Sequence, residues 1–438
     1  MSASEKQQQN DANFISTDHE KSPSSDPESS VSSEKEAYRE APDGGLKAWL
    51  VVIGCFCSFF CILGFQICWG VFFDEYNANV YPGEQTKLTW IGGFYFFMGK
   101  ITGPFYVWML SKVSDRKMLM VSAILCPVAL MLASITNKVW QLYITQGLMV
   151  GIGSSLAWYP CMTGPQQWFS KRRGLAVGIA LSASGVGGLA LSNITQAAIQ
   201  SLGWRWALRI AGFIHLVLIG VAAIFAYPLN PPAKRVPLLD VSYFKNPQFV
   251  VCFLIQLLCG FTFFIPPSYV PTYARSLGLD KWVGTNLNAV MSACMFVGKI
   301  ALGFCGDYVG RLNMTVICAI VSFIAHFAIW LNATSEAALW AFVVVYGLFG
   351  GAYIAVSISI VGQVVGDNNI NVGTGWCYFA WSWTGLFGQS IASAISNRTS
   401  PPDYRGAIIF NGALFIAGAC LALILRVMIG GRKIMRVV

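Results

Sequence analysis

Apolar segments long enough to cross a lipid bilayer recur from residue 47 to residue 429, and this repetition limits the fold more than any other feature. A helix needs roughly 20 predominantly apolar residues to span a hydrocarbon core ~30 Å thick. Twelve segments meet that requirement, at 47–73, 88–110, 118–135, 140–162, 174–197, 204–227, 249–272, 284–305, 312–331, 336–361, 372–395 and 405–429. In hydrocarbon every backbone polar group must be paired within the protein, so segments of this length are read as helices. Composition agrees. Only 11% of residues are charged, against about 25% in soluble domains. The predicted class is an all-α membrane protein with twelve transmembrane helices.

Charge divides the chain. Ten of the 20 acidic residues precede Leu46 with four basic ones, so this stretch carries −6 and the rest +15 of the total +9. Residues 1–45 are expected to be a disordered acidic tail, poor in apolar side chains. The stretch at 228–248, "PLNPPAKRVPLLDVSYFKNPQ", is rich in proline and reads as a linker between two six-helix halves, 46–227 and 249–430. Residues 431–438 form a basic tail. Lys112, Arg116, Lys117, Lys171, Arg172, Arg173, Lys245 and Arg311 fall on the side of both termini, as do Lys234, Arg235, Arg432, Lys433 and Arg436. Basic loops stay in the cytoplasm, so both termini are expected there, in the plasma membrane. "NRT" at Asn397 and "NAT" at Asn332 then fall in outward loops as candidate glycosylation sites. The positive charge is that of cytoplasmic loops and gives no reason to expect a nucleic-acid partner. Six plus six helices with basic alternate loops suggest a major facilitator fold.

Two lysines break the apolar pattern. Lys100 lies in "FMGKITGP" and Lys299 in "FVGKIALGFCGDYVGR". A charge at mid-helix costs about 2.5–3.5 kcal/mol on insertion scales, so each needs a reason. Lys299 precedes Asp307 by eight residues, about 12 Å of helix, and Lys100 precedes Ser111 by eleven, about 16 Å. Asn288, Ser292, Met295 and Lys299 share one face at i, i+4, i+7 and i+11 spacing. Lys299, Lys100, Asn288 and Ser292 are therefore candidates for binding an anionic substrate in a central cavity. The alternative is lysines bonded to helix carbonyls or snorkelling to the surface. No Asp or Glu falls inside a predicted helix beyond Glu336 at the very start of the tenth, which leaves His215 and His326 as candidates for proton coupling. The run "WCYFAWSW" at Trp376–Trp383 lines either a roomy cavity or the lipid face. The 13 cysteines show no metal-ligand spacing, and no nucleotide-binding P-loop is present. Neither a metal, a cofactor nor an enzyme activity is expected.

Several motifs resemble the monocarboxylate transporter family of the major facilitator superfamily, in its fungal branch. They are "APDGGLKAW" before the first helix, "WFSKRRGLAVGIALSASGVGG" at 168–188, "FIPPSYVPTYARSLGL" at 264–279 and "GDYVGR" at 306–311. Lys171, Arg172, Arg173, Asp307 and Arg311 belong to these motifs and are candidates for conformational coupling. Asp307 is expected to cap the ninth helix, and Pro266, Pro267 and Pro271 to disturb the seventh, by a break or a static kink. In the animal carriers of this family an arginine at the Lys299 position binds the substrate carboxylate. An aspartate there matches Met295, and a lysine falls near Gln66, which adds Gln66 to the binding candidates. The resemblance implies secondary transport of an organic anion or weak acid. Aromatic wealth and absent coupling charges favour efflux of a polyketide-type or other secondary metabolite. A nutrient or monocarboxylate uptake carrier and a non-transporting sensor are the alternatives. The implied partners are a small organic anion, the bilayer and protons.

Overall fold

A computed structural model describes residues 39–230, 239–396 and 403–431. The acidic stretch before Arg39, the basic residues Lys234 and Arg235, the site at Asn397 and the end from Arg432 lie outside the described residues. The first half contains α1 (Leu46–Glu75), α2 (Gln85–Ile101), α3 (Tyr106–Lys112), α4 (Asp115–Ala133), α5 (Val139–Leu142), α6 (Val150–Trp168), α7 (Arg173–Leu202) and α8 (Trp204–Phe225). The second contains α9 (Pro247–Ser276), α10 (Lys281–Val309), α11 (Arg311–Ile324), α12 (Glu336–Ser359), α13 (Val361–Val365), α14 (Ile370–Ser396) and α15 (Arg405–Gly430). Helices α2 and α3, α5 and α6, and α12 and α13 each continue one another, so the 15 helices make twelve spans at the expected places. Among the described residues, nine runs are long and apolar enough by themselves to cross a membrane.

Proline decides the local shape of several spans. It has no N–H, so the carbonyl four residues earlier loses its helical partner. Pro104 ends α2 and leaves the Lys100 carbonyl, which takes the Tyr159 hydroxyl at 2.6 Å. Pro271 leaves the Pro267 carbonyl, and Asn288 Nδ2 donates to it at 2.9 Å. Pro266 leaves the Thr262 carbonyl, which accepts from Tyr346 Oη at 3.3 Å. The disturbance expected in the seventh span does not interrupt it, since α9 is continuous from Pro247 to Ser276. Helix α9 runs unbroken through all three prolines, and a neighbouring helix supplies the missing donor at Pro266 and at Pro271.

Each half packs mainly on itself. Helix α1 lies on α6, α7 and α8, and α9 lies on α10, α12, α14 and α15. The halves meet where α7 crosses α10 and α12, and where α14 crosses α2 and α6. Glycine makes the first crossing close. A Cβ on Gly178 would run into the Lys299 carbonyl oxygen, and one on Gly174 would lie 2.5 Å from the Gly303 oxygen. Bare backbones in contact are a usual way for membrane helices to associate.

The proline accounting yields a rescue experiment. Asn288→Leu orphans the Pro267 carbonyl and is expected to lower stability by about 1–3 kcal/mol. Pro271→Ala restores an N–H to that carbonyl, so the double variant should recover most of the loss. Thermal unfolding in detergent reads both. A double variant no more stable than Asn288→Leu alone would show that the bond carries no weight.

Candidate functional site

Two sites of different chemistry lie on the seam between the halves. The first is at the end of the bundle where the chain enters α1, here called the entry face. Asp307, in the last turn of α10, reaches across the seam and caps α7. It accepts from Gly174 N at 2.8 Å and from Leu175 N at 2.9 Å. A carboxylate is favoured at a helix N-terminus, where backbone donors and the dipole converge. This corrects the expectation that Asp307 caps the following helix. Arg311 Nε donates to Asp307 at 3.0 Å, and its Nη2 donates to the Ser170 carbonyl at 2.5 Å. Arg173 donates to the carbonyls of Gln166 and Phe169 and pairs with Asp367 at 2.7 Å. Gln167 donates to Asn371 Oδ1 at 2.9 Å, adding a neutral stitch. Lys171 and Arg172 are exposed.

A cavity of about 570 Å³ lies among these groups, between Ser170, Lys171, Asp307, Arg311, Gln363 and Asp367. Its charged walls are largely occupied with one another. We read it as the seam of a latch rather than a substrate site. The two ion pairs differ in weight. Side-chain exposure is 4% for Asp307 but 44% for Asp367. Exposed pairs contribute about 0–1 kcal/mol, so Asp307 and Arg311 dominate the latch.

Asp43 ties the entry segment into it. Its Oδ1 accepts from Ser170 N at 2.6 Å and Lys171 N at 2.7 Å. Ser170 is thus held by Asp43 through its N–H and by Arg311 through its carbonyl.

The second site is deeper and contains both lysines, each 2% exposed. Lys299 on α10 crosses the seam to α7, where Nζ donates to Ser184 Oγ at 2.5 Å and to the Leu181 carbonyl at 3.3 Å. Lys100 Nζ lies over Trp158, 3.7 Å from the ring centroid, and over Phe96 at 4.4 Å. Such contacts stabilise a cation electrostatically. Among the described residues neither lysine has a carboxylate within ion-pair distance.

The remaining candidates separate from this centre to different degrees. Asn288 serves the proline carbonyl, and Ser292 Oγ donates to its own helix at the Asn288 carbonyl, 2.9 Å. Gln66 is half-buried on α1. His215 bonds the Ala211 carbonyl and meets Phe65 edge-on at 5.4 Å. His326 bonds the Ser322 carbonyl and Asn411 inside a box of Trp330, Phe342, Tyr346 and Phe415. The structure brings neither histidine to the lysines. Asn332 Nδ2 bonds the Phe327 carbonyl at 2.8 Å at the end of its span.

Sequence reasoning missed Asp115, Asp367 and the residues around Lys100. Asp115 lies before the apolar stretch 118–135 but opens α4, is buried, and accepts from Tyr106 Oη at 2.8 Å. The aromatic run of α14 did carry a signal. Tyr378 and Trp381, three apart, are buried, whereas Trp383 and Phe387 are exposed.

A twelve-span bundle of two halves, latched at one end and carrying buried cations at its centre, is the architecture of a secondary transporter. The comparisons agree. Residues 54–301 match the family model of the Major Facilitator Superfamily. The MFS transporter asaE of Aspergillus flavus is 30% identical over 421 residues, 94% of either chain. The aspyridones efflux protein apdF of Emericella nidulans is 30% identical, over 87% of this chain and 78% of its own. The agnestins efflux protein AgnL12 of Paecilomyces divaricatus is 29% identical over 92% and 93%. The proton:xylose symporter XylE shares the fold, with a TM-score of 0.70 at 12% identity over 89% of this chain and 98% of its own. The chain belongs to the Major Facilitator Superfamily and is a multi-pass membrane transporter.

Asp307→Asn keeps the size and removes the charge of the central latch group. Charge-assisted bonds are worth about 1.5–3 kcal/mol, so the population with a parted entry face should rise roughly 10- to 150-fold. Spin labels at Lys171 and Gln363 should then show a second, longer distance. Asp367→Asn should move the distribution far less. Equal effects of the two substitutions would contradict the ranking by burial.

Proposed function

We propose that the protein exports an acidic secondary metabolite, taking it up at the buried lysines and releasing it as the halves exchange their open ends. The observation that supports the anion is the pair Lys100 and Lys299, held in the seam with no carboxylate partner among the described residues. An isolated buried cation is costly, and an anionic ligand supplies the missing counter-charge. The direction draws on the relatives whose names describe efflux of aspyridones and agnestins. The motifs quoted above favour the monocarboxylate-porter branch. With its basic loops inside, the entry face is cytoplasmic and the latch closes that side. Proton coupling in this scheme falls on buried titratable groups. His215 and His326 bond locally, and Asp115 joins them as a carboxylate candidate.

Flux in liposomes with fluorescent aromatic acids tests the anion reading. Lys299→Ala should insert normally and weaken the apparent affinity for the acid roughly 10- to 150-fold, the worth of one charge-assisted bond. Lys299→Arg should retain part of it. The neutral amide of the same acid should be little affected. Unchanged handling of the acid by Lys299→Ala would falsify the role of this lysine.

Orientation has its own check. Glycans are expected at Asn397 and Asn332 and never at Asn313, which lies in "NMT" near the start of α11. Modification of Asn313 would reverse the assignment of the two faces.

A further inference from the structure

Lys100 is built differently from Lys299. Lys299 already has two oxygen acceptors on α7. Lys100 has only the faces of Trp158 and Phe96, and among the described residues its ammonium has no hydrogen-bond acceptor. Among the described residues no protein oxygen meets its three donors, although the residue is 2% exposed.

The lysines terminate one run of aromatic rings. From Lys100 it passes to Trp158, then to Tyr378 with centroids 5.1 Å apart, then to Trp381 at 5.6 Å and Phe263 at 6.3 Å. Lys299 Nζ lies 5.7 Å from the Phe263 centroid. Trp158 comes from the first half, whereas Tyr378, Trp381 and Phe263 come from the second. The Trp158–Tyr378 contact therefore spans the seam.

The same run carries buried polar atoms without partners among the described residues: Trp158 Nε1, Tyr378 Oη and Gln256 Nε2. The other end of the Gln256 amide accepts from Trp381 Nε1 at 3.3 Å. Indole and amide nitrogens only donate, and a phenol donates readily. Buried donors without acceptors are uncommon, because each forfeits its hydration. A ligand rich in acceptors satisfies them together.

We infer that the transported acid is a flat, conjugated molecule with two separated oxygen-bearing groups, one anionic group at Lys299 and a second acceptor group at Lys100. Its ring system takes the place of the Trp158–Tyr378 contact when the halves part. The inference rests on the organic-anion reading above and adds the second pole and the planar body between them. Edge-to-face and offset ring contacts reward a planar ligand specifically. An apolar body of any other shape gains only burial.

The test is calorimetric titration of the purified full chain with rigid diacids of increasing length. Terephthalate, naphthalene-2,6-dicarboxylate and biphenyl-4,4′-dicarboxylate are each compared with the matching monoacid. At least one diacid should bind about 10-fold or more tightly than its monoacid. Lys100→Gln should abolish that margin, weakening the diacid far more than the monoacid. Tyr378→Phe, which keeps the ring, should reduce the margin and serves if Lys100→Gln does not fold. A saturated decalin dicarboxylate should bind no better than a naphthalene monoacid. If diacids and monoacids bind alike and Lys299→Ala weakens both, the two-pole inference fails and the organic-anion reading stands. If Lys299→Ala weakens neither, or no probe binds, both fail.

Discussion

Hydrocarbon offers no water to an exposed amide, and that single constraint organises this molecule. It demands helices, and it demands a substitute donor wherever proline removes one. At three prolines the substitute is a side chain on another span: Tyr159 for Pro104, Asn288 for Pro271 and Tyr346 for Pro266. Each such bond also fixes the rotation of the helix that supplies it. Tyr159 holds the Lys100 carbonyl and neighbours Trp158, which covers the Lys100 ammonium. The correction of a backbone defect and the placement of a buried charge therefore share one element. Asn288 illustrates the reverse case. Its place on a polar stripe with Lys299 suggested ligand contact, yet its amide nitrogen serves α9.

The seam between the halves is polar at one end and aromatic in the middle. At the entry face the latch uses groups whose partners all lie across the seam or beside it, with Asp307 at the centre. Interfaces of this kind are bistable, because discrete bonds are either made or broken as the halves rock. The close glycine crossing of α7 and α10 belongs to the same closed arrangement, since Gly174 and Gly178 lie directly behind the Asp307 cap. Ser170 links the latch to the entry segment through Asp43. A change in how the chain enters α1 is thus transmitted to the latch through one peptide unit.

Much of the fold was legible because span formation depends on local composition. All twelve spans appear where the apolar runs lie. The helices run past the apolar stretches, as in α10, which extends from Lys281 to Val309 rather than 284–305. Helices continue past the hydrocarbon into the loops, and hydropathy does not register that extension. The latch was legible only in part. The residue types at Asp307, Arg311 and Arg173 were evident, but the helix that Asp307 caps lies 133 residues away in sequence. The aromatic centre was less legible still. The run at Trp376–Trp383 divides between core and periphery, and helical spacing alone does not say which face turns inward. Asp115 was missed because α4 begins three residues before its apolar stretch.

The energetics of the two lysines bear on why they persist at all. Leucine at either place would remove an insertion penalty of about 3 kcal/mol. Lys299 recovers part of that cost from Ser184 and the Leu181 carbonyl, and it stitches the halves together in doing so. Those bonds run from α10 to α7, so they hold only while the two helices stay together. Lys100 has no such compensation. Cation–π contact is worth about 0.5–2 kcal/mol, less than the cost of burying an unpaired ammonium. A side chain held at a net loss in the resting protein is best explained by a gain in another state of the cycle. On the reading proposed above, a ligand would bring oxygen acceptors to a place where the described residues supply none.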